Sequence, residues 1–439
     1  MAIKIFGLAE RRTNIRTEVL AGLTTFMTMA YIVAVNPLIL SEAGMPIAGV
    51  AAATCLAAGI GSILMGLIAN VPLALAPGMG LNAYFTYTVV KGMGVPWETA
   101  LGCVLISGLV FLALTLSGVR KVIVEAVPRP MFAAISAGIG LFIAFIGLKS
   151  AGLVVANPAT TVTLGDLTAP TTLLALLGLG LTGFLMVRKV KAAVLIGIIT
   201  VTGVAFATGT THFTPQPYDL SAITQTAFKA DVPAALGLGV GGLSAAVLEI
   251  IFVFLFVDFF DNLGTLVAVT KRAGLQAADG TIPGLNRILL ADSVATIAGA
   301  TAGTSTVVSY VESAAGVEAG GRSGLTSVIV GLLFLGAFFL APWVQLIPAA
   351  ATAPALILVG GMMIAPLAET DWADPVIAIP AFLTLTLIPL TFSIATGLAF
   401  GLISYALLKL LKEGFKRSDI ALYVLAGLFI ARFAWTTGG

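Results

Sequence analysis

Charge is what this chain has least of. Asp, Glu, Lys and Arg make up 10% of its 439 residues, where a soluble domain carries about 25%. Apolar residues reach 59% and the mean hydropathy is +1.09. That surface fits neither one aqueous core nor contact with water, which excludes soluble enzymes, nucleic-acid binders and secreted domains. Cysteine is nearly absent: Cys55 and Cys103 both sit inside apolar runs, so no disulfide framework is expected. One His and four Trp leave nothing from which to build a haem, zinc or iron–sulfur site, and no cofactor is expected. The net charge of +2 argues for no acidic partner and no nucleic acid. Polar–apolar alternation is missing too, because the apolar stretches are continuous, and this excludes a transmembrane β-barrel.

What is present is apolar run after apolar run. A helical crossing takes about 20 residues, and with connections roughly 30, so this length predicts an all-α integral membrane protein of about fourteen spans. Lys4, Arg11, Arg12 and Arg16 lead into the run Val19 to Pro37. That run is too long for a signal-peptide core and lacks a small-residue cleavage site, so it reads as an uncleaved first span in an inner or plasma membrane. Basic clusters at Arg120, Lys121 and Arg129, at Arg188, Lys189 and Lys191, at Lys271, Arg272 and Arg287, at Arg322, and at Lys409 to Arg417 each follow an even number of spans. Of the 22 basic residues only Lys91, Lys149 and Lys229 fall on the other side, which predicts that both termini are cytoplasmic. The acidic loop Glu369 to Asp374 is the one inner connection without a basic residue. Gly118–Arg129 reads as an amphipathic surface connection, Gly209 to Val232 as a polar insertion dividing two halves, and 420–437 as a packed or interfacial tail.

Two spans look unlike the rest. The third, from Val71 through Pro72, Pro77, Gly78, Gly80 and Asn82 to Phe85, carries prolines and glycines in an apolar stretch. The tenth, Ala300 to Ala314, is short, β-branched and rich in small polar residues. Each reads as an extended piece followed by a half-length helix. They stand at matching places in the two halves, the sequence pattern of an inverted-repeat transporter with its binding site at the interruptions. Non-helical backbone survives at membrane depth only where protein or a polar cavity satisfies it.

The acidic residues inside apolar runs are Glu249, Asp258, Asp261, Asp292 and Glu312, with Glu318 near a span end. Each costs about 2.5–3.5 kcal/mol at a helix centre and so needs a partner or a cavity. Asp258 and Asp261 are spaced i,i+3 on one helix face, and Asn262 extends the strip. Two carboxylates close together in low dielectric do not both ionise cheaply, so this pair is suited to carry a proton. Asp292 reads as a structural anchor near Arg287, and Glu318 as a helix-end ion pair with Arg322. Glu249 is out of phase with the aspartates and is expected to face elsewhere.

Asp258-Phe-Phe-Asp261-Asn-Leu-Gly-Thr, Thr304-Ser-Thr-Val-Val-Ser-Tyr-Val-Glu312-Ser-Ala-Ala-Gly-Val and Ala76-Pro-Gly-Met-Gly-Leu-Asn82-Ala-Tyr-Phe resemble motifs of the nucleobase–cation symporters of the nucleobase–ascorbate superfamily. The chain is most similar to the AzgA-like branch of adenine, guanine and hypoxanthine permeases, and the resemblance covers nearly its whole length. It implies two inverted seven-span repeats, with spans 3 and 10 broken into a short strand and a half-helix. It also implies a core domain from 1–117 (spans 1–4) and 243–322 (spans 8 to the start of 11). The stretch 323–415 would hold the rest of core span 11 and then spans 12–14, which with 118–210 (spans 5–7) form a gate domain. An outer loop at 211–242 would lead into span 8, and 416–439 would form a tail. The family transports by proton symport in an elevator-like movement of core against gate, with the gate as the usual homodimer surface. The residues carried over are Asp258 and Asp261 in span 8, Glu312 in span 10 and Asn82 in span 3. Asp261 has the wider superfamily's spacing to Gly264, and Asp258 is the extra acid of the purine branch, so which of the two touches the base stays open.

A purine is flat and neutral, with N–H donors and ring-nitrogen acceptors along its edge. Carboxylates accept from its N–H groups, and Asn82 can both donate and accept. Backbone N–H groups near Gly78–Gly80 and Thr306–Ser309 are expected to donate to its ring nitrogens. Phe259, Phe260 and Tyr310 either stack on the base or fill core and lipid-facing positions. The expected site is therefore Asp258, Asp261, Glu312, Asn82, Gly80, Thr306 and Tyr310, with Glu312 as an ionised purine ligand and the aspartates as proton carriers. The expected partners are a purine, lipid and a second copy of the chain. Uracil, xanthine or an anion on the same fold, or a channel, are the alternatives. The pattern Gly78-x-Gly80-x-x-Ala83 imitates a dinucleotide loop but lies mid-membrane with no acid about 20 residues on. His212 and Tyr218-Asp219 fall in the outer loop and read as surface residues.

Overall fold

The computed structural model describes residues 5–117, 129–211, 219–238, 245–277 and 281–436. The connection at 118–128, His212 and Tyr218 lie outside them. In hydrocarbon every backbone N–H must find a carbonyl in its own segment, so continuous apolar runs become helices. Among the described residues nine helical segments are long and apolar enough to cross a bilayer, and Ala193–Ala207 and Pro375–Thr391 are shorter apolar helices. The chain is thus a multi-pass, predominantly helical membrane protein.

The first half runs α1 (Ile15–Met29), α2 (Ile32–Ser41), α3 (Ile47–Leu64), β1 (Leu75–Pro77), α4 (Met79–Ala83), α5 (Trp97–Ser117), α6 (Arg129–Ser150), β2 (Val154–Asn157), β3 (Thr161–Leu164), α7 (Pro170–Val187) and α8 (Ala193–Ala207). After the short α9 (Val232–Ala235), the second half runs α10 (Ala245–Arg272), α11 (Leu285–Ala302), β4 (Val307–Ser309), α12 (Ser313–Glu318), α13 (Gly324–Ala337), α14 (Ala349–Met362), α15 (Pro375–Thr391) and α16 (Ile394–Glu413). Helix α17 (Ile420–Thr436) follows as a tail. The third and tenth spans are each a three-residue strand followed by a short helix, as their composition predicts; α4 continues as π-helical turns through Tyr84–Gly92.

The two interruptions solve one another's backbone problem. Strands β1 and β4 pair antiparallel, with Leu75 opposite Ser309, Ala76 opposite Val308 and Pro77 opposite Val307. The ladder extends one bond each way: the Gly78 N–H donates to Thr306 O and the Tyr310 N–H to Ala74 O, both at 2.9 Å. Pro77, which has no N–H, falls at a position where the antiparallel ladder needs none. The outward groups are met by neighbouring helices. Ser62 Oγ of α3 accepts from the Leu75 N–H at 2.9 Å, and Thr296 Oγ1 of α11 donates to Val307 O at 2.9 Å. Ser313 Oγ accepts from the Ala74 N–H at 3.0 Å. Unpaired backbone at this depth would cost several kcal/mol per group.

Packing follows the same two-fold logic. Helices α3 and α11 lie against each other; α3 also packs on α13, and α11 in the same way on α5. Likewise α6 packs on α14 and on α15, while α14 packs on α7. The π-helical turn Met65–Ala69 that continues α3 approaches α13 only because both sides are glycine: a Cβ on Gly66 would lie 2.3 Å from Gly324 O, and one on Gly324 2.0 Å from Gly66 O. No side chain fits in that space.

Polar pairs sort the connections into two ends. At one end Glu318 meets both Arg272 (3.0 Å) and Lys191 (3.5 Å), and Asp374 meets Lys412 (2.9 Å). The acidic loop at Glu369 to Asp374 thereby finds its cation at the end of α16. Glu318 does not pair with Arg322 as the i,i+4 spacing suggests. The Arg322 guanidinium instead donates to Val317 O and Gly321 O at the end of α12, because the turn at Gly320–Gly321 folds it back. At the opposite end Lys91 pairs with Glu42. The β2–β3 hairpin was not expected from the sequence; it is an exposed pair closed by an Asn157 turn whose Oδ1 accepts from Ala159 N–H at 2.8 Å.

Two further features escape sequence patterning. The first span breaks at Ala30–Tyr31, between α1 and α2, without Gly or Pro at the break; Pro37 lies well inside α2. The tail helix α17 packs on α16 through Phe400–Phe433, with Asp419 just before it paired to Lys409, and reaches α10 through Phe429 against Phe252 and Phe256.

Candidate functional site

Helix α10 packs against β4, α4 and α12, which brings the acidic strip of span 8 to the crossing strands. Asp258 is buried, 1% exposed, while Asp261 is half-buried one turn further on. The Asp261 carboxylate lies within electrostatic reach of Glu312, and the Tyr310 hydroxyl within reach of both. Three of the predicted residues therefore converge.

Glu312 forms the N-cap of the half-helix α12. Its Oε1 accepts a hydrogen bond from the hydroxyl of Tyr31 at 2.6 Å. Tyr31 lies at the break of the first span and is 1% exposed. No sequence pattern marks it, since its partner is 281 positions away. The hydroxyl of Tyr310 donates to Pro77 O at 2.5 Å, so this ring ties the end of β4 to the end of β1. Phe259 packs edge-to-face on Phe111 of α5 with centroids 6.3 Å apart, a core position. The side chain of Phe260 lies outside the described residues.

Asn82 is fully buried on α4, and its Oδ1 accepts from the hydroxyl of Ser305 across the strand crossing. Its Nδ2 finds no partner among the described residues. The same holds for Thr306 Oγ1, Ser309 Oγ and both amide atoms of Asn262, all buried. Native proteins leave few buried polar side chains unmet, and a concentration of them on the site elements signals an absent hydrogen-bonding ligand. Asn262 and Ser309 thus join the site; Asn262 was visible from its i+4 spacing to Asp258, and Ser309 only as part of a polar run.

The expected backbone donors are corrected. The Gly78 N–H is committed to Thr306 O, and Val307–Ser309 is strand rather than a helix start. At α12 the N–H groups of Ser313, Ala314 and Ala315 already bond Tyr310, Val311 and Glu312 carbonyls. What remains is the first turn of α4, whose N–H groups have no intrahelical partner. Gly80 lies in that turn, and a Cβ there would stand 2.4 Å from Ile139 Cγ2 of α6. Asp292 is fully buried on α11. Among the described residues no group of three or more His, Cys, Asp or Glu side chains is placed to hold a metal ion.

Glu18 also went unremarked in the sequence. It lies in the first turn of α1, is fully buried, and caps the start of α13 in the other half of the chain. Its carboxylate accepts from the N–H groups of Arg322 (2.9 Å), Ser323 (3.3 Å) and Thr326 (3.2 Å) and from Thr326 Oγ1 (2.5 Å).

Comparison with known proteins bears directly on this geometry. A permease-family profile matches residues 16–400. A putative permease of Methanocaldococcus jannaschii is 48% identical over 99% of this chain and 98% of its own. The guanine/hypoxanthine permease PbuG of Bacillus subtilis is 44% identical, covering 98% of each. The adenine permease AdeP of Escherichia coli is 41% identical over 99% of this chain and 96% of its own. Among solved structures, the transmembrane domain of the cyanobacterial bicarbonate transporter BicA superposes with a TM-score of 0.65 at 19% identity, over 88% of this chain and 97% of that domain; at that identity it speaks for the fold alone. The broken, paired third and tenth spans and the full-length relatives lead to one conclusion: the chain belongs to the permease family, in the AzgA-like branch of the nucleobase–ascorbate superfamily, and is a membrane transporter rather than an enzyme.

Proposed function

We propose that this permease imports purine nucleobases (adenine, guanine or hypoxanthine) together with protons. The observation that carries the reading is the Glu312 carboxylate at the crossing of the two broken spans, one oxygen tied to Tyr31 and Asp261 in reach. The second oxygen suits a purine N–H, and Asn82, Thr306, Ser309 and Asn262 offer unmatched donors and acceptors to the rest of its edge. Relatives described as adenine and guanine/hypoxanthine permeases support the same substrate class. Neither Glu312 nor Asp261 enters an ion pair with Lys or Arg among the described residues, and such acids repel an anion, which disfavours sulfate or bicarbonate. Uracil or xanthine on the same site is the second reading, since a small change of pocket shape suffices to exchange nucleobases. Uptake of labelled hypoxanthine, challenged with a panel of purines and pyrimidines, separates them. Adenine, guanine and hypoxanthine should compete and uracil should not; competition by uracil alone would overturn the purine assignment.

The coupled proton is assigned to the Asp258/Asp261 pair. Neutralising either carboxyl, as Asp258→Asn or Asp261→Asn, is expected to leave facilitated exchange of purine while reducing proton-driven accumulation by at least about tenfold, the cost of losing one titrating carboxyl from the acidic strip. Accumulation at the wild-type level in both variants would remove the assignment.

The alternating step is read as an elevator, with α1–α5 and α10–α13 as a core that carries substrate and α6–α8 and α14–α16 as the gate. About fourteen crossings, cytoplasmic termini and a homodimer through the gate complete this reading. Gly80 supports the sliding surface, because α4 of the core passes α6 of the gate with no room for a methyl group. Overpacking of this kind costs about 1–3 kcal/mol. Gly80→Ala should lower the maximal uptake rate several-fold, and adding Ile139→Ala should restore part of it. A normal rate in Gly80→Ala would count against close passage of core and gate at this point.

A further inference from the structure

The contact between Tyr31 and Glu312 is built by the fold rather than left to chance. Helix α12 lies directly on α1, and only glycine permits it: a Cβ on Gly316 would stand 2.0 Å from Thr25 Oγ1 and 2.8 Å from Ala21 O. That approach sets Glu312, at the N-terminal edge of α12, beside the end of α1. There the first span leaves its regular course for two residues, Ala30 and Tyr31, and resumes through tightened bonds from Val33 N–H to Ala30 O and Ala34 N–H to Tyr31 O. At this break the Tyr31 side chain is buried, and its hydroxyl donates to Glu312 Oε1. It is the only side-chain donor to that carboxylate among the described residues. The other ionisable groups in reach, Asp261 and Tyr310, supply no cation.

We propose that Tyr31 is a positioning residue for substrate recognition: it fixes the plane of the Glu312 carboxylate and occupies Oε1, so that Oε2 alone is presented to the purine. This rests on Glu312 being the purine ligand. A carboxylate held at one oxygen loses less rotational freedom when the base binds, and the phenolic O–H stabilises the ionised form that accepts from a purine N–H. The first span thereby belongs to the binding site although its hydroxyl touches no substrate. The effect falls on affinity, because the bond is present in the empty site and supports the bound state without taking part in the movement of the core.

Tyr31→Phe keeps the ring and removes the donor. Hypoxanthine binding to the purified chain by calorimetry, and its uptake into proteoliposomes, should show Kd and KM raised by about tenfold, the value of one charge-assisted hydrogen bond. Maximal rate should stay within about twofold and the melting temperature of the empty protein within a few degrees, since the buried ring is retained and a single hydrogen bond is lost. A merely structural Tyr31 would lower melting temperature and maximal rate together and leave KM in place, and that result would overturn the inference. So would unchanged Kd and KM in a variant that melts normally. If the wild-type chain itself bound no purine, the reading of the site would fail and this inference with it; wild-type binding with an indifferent Tyr31→Phe would overturn the inference alone.

Discussion

Glu312→Gln is expected to raise the KM for purine uptake by at least about a hundredfold while the protein still folds. The carboxylate has two acceptor oxygens, one committed to the Tyr31 hydroxyl at 2.6 Å. Glutamine keeps one acceptor and turns the other into an NH2 donor. In one orientation the amide N–H faces the purine N–H; in the other the Tyr31 hydroxyl must turn from donor to acceptor, which leaves its own O–H unmatched. The variant therefore loses a hydrogen bond to a charged group, about 1.5–3 kcal/mol, and adds the cost of an unmatched buried donor, about 1–3 kcal/mol. Near-isosteric replacement leaves packing intact, so melting temperature in detergent should move little. Uptake of labelled hypoxanthine over a wide concentration range checks this, and a wild-type KM in Glu312→Gln would remove Glu312 from the site.

Glu18→Ala should destabilise the protein more than any single substitution at Asp258, Asp261 or Glu312. The Glu18 carboxylate carries the start of α13 through three backbone N–H groups and the Thr326 hydroxyl. An anion at a helix N-terminus gains from the helix dipole as well as from the bonds themselves. Positive charge lies close by: the Arg11 guanidinium, which feels Glu18, donates to Arg322 O at 2.7 Å. Alanine would leave the donors buried and unmet, a loss of about 3–5 kcal/mol by analogy with breaking a buried charged network. Glu18→Gln keeps one acceptor and should lose less. Thermal unfolding of the purified protein should rank wild type above Gln above Ala. An Ala variant that melts with the wild type would show that the cap contributes nothing.

How far the sequence reached can be judged residue by residue. Spans 3 and 10 were recognisable because Pro77 and Gly78, or a run from Thr304 to Ser309, disrupt an apolar segment in a way that membrane helices do not tolerate without compensation. The antiparallel register of β1 on β4 supplies that compensation, and no periodicity within either segment could have given it. Asp258, Asp261 and Asn262 were visible from helical spacing alone. Tyr31 and Glu18 were not, because each acts across the two halves of the chain, on Glu312 and on the start of α13. A tyrosine or a glutamate near a span end looks ordinary until its distant partner is known. Glu318 shows the converse: its spacing to Arg322 suggested a local pair, and tertiary packing gave it Arg272 and Lys191 instead. Local patterns thus described the elements, and the contacts that tune the acids came from how the halves interlock.

Proton-coupled purine transport is tested most directly by the purified wild-type chain in liposomes with an imposed pH gradient, acidic outside. Labelled hypoxanthine should accumulate against its gradient, adenine or guanine should compete for entry, and a protonophore should reduce the accumulation to equilibration. Uptake that is saturable but indifferent to the pH gradient and the protonophore would contradict the role given to Asp258 and Asp261, and uptake indifferent to every purine would contradict the site built around Glu312.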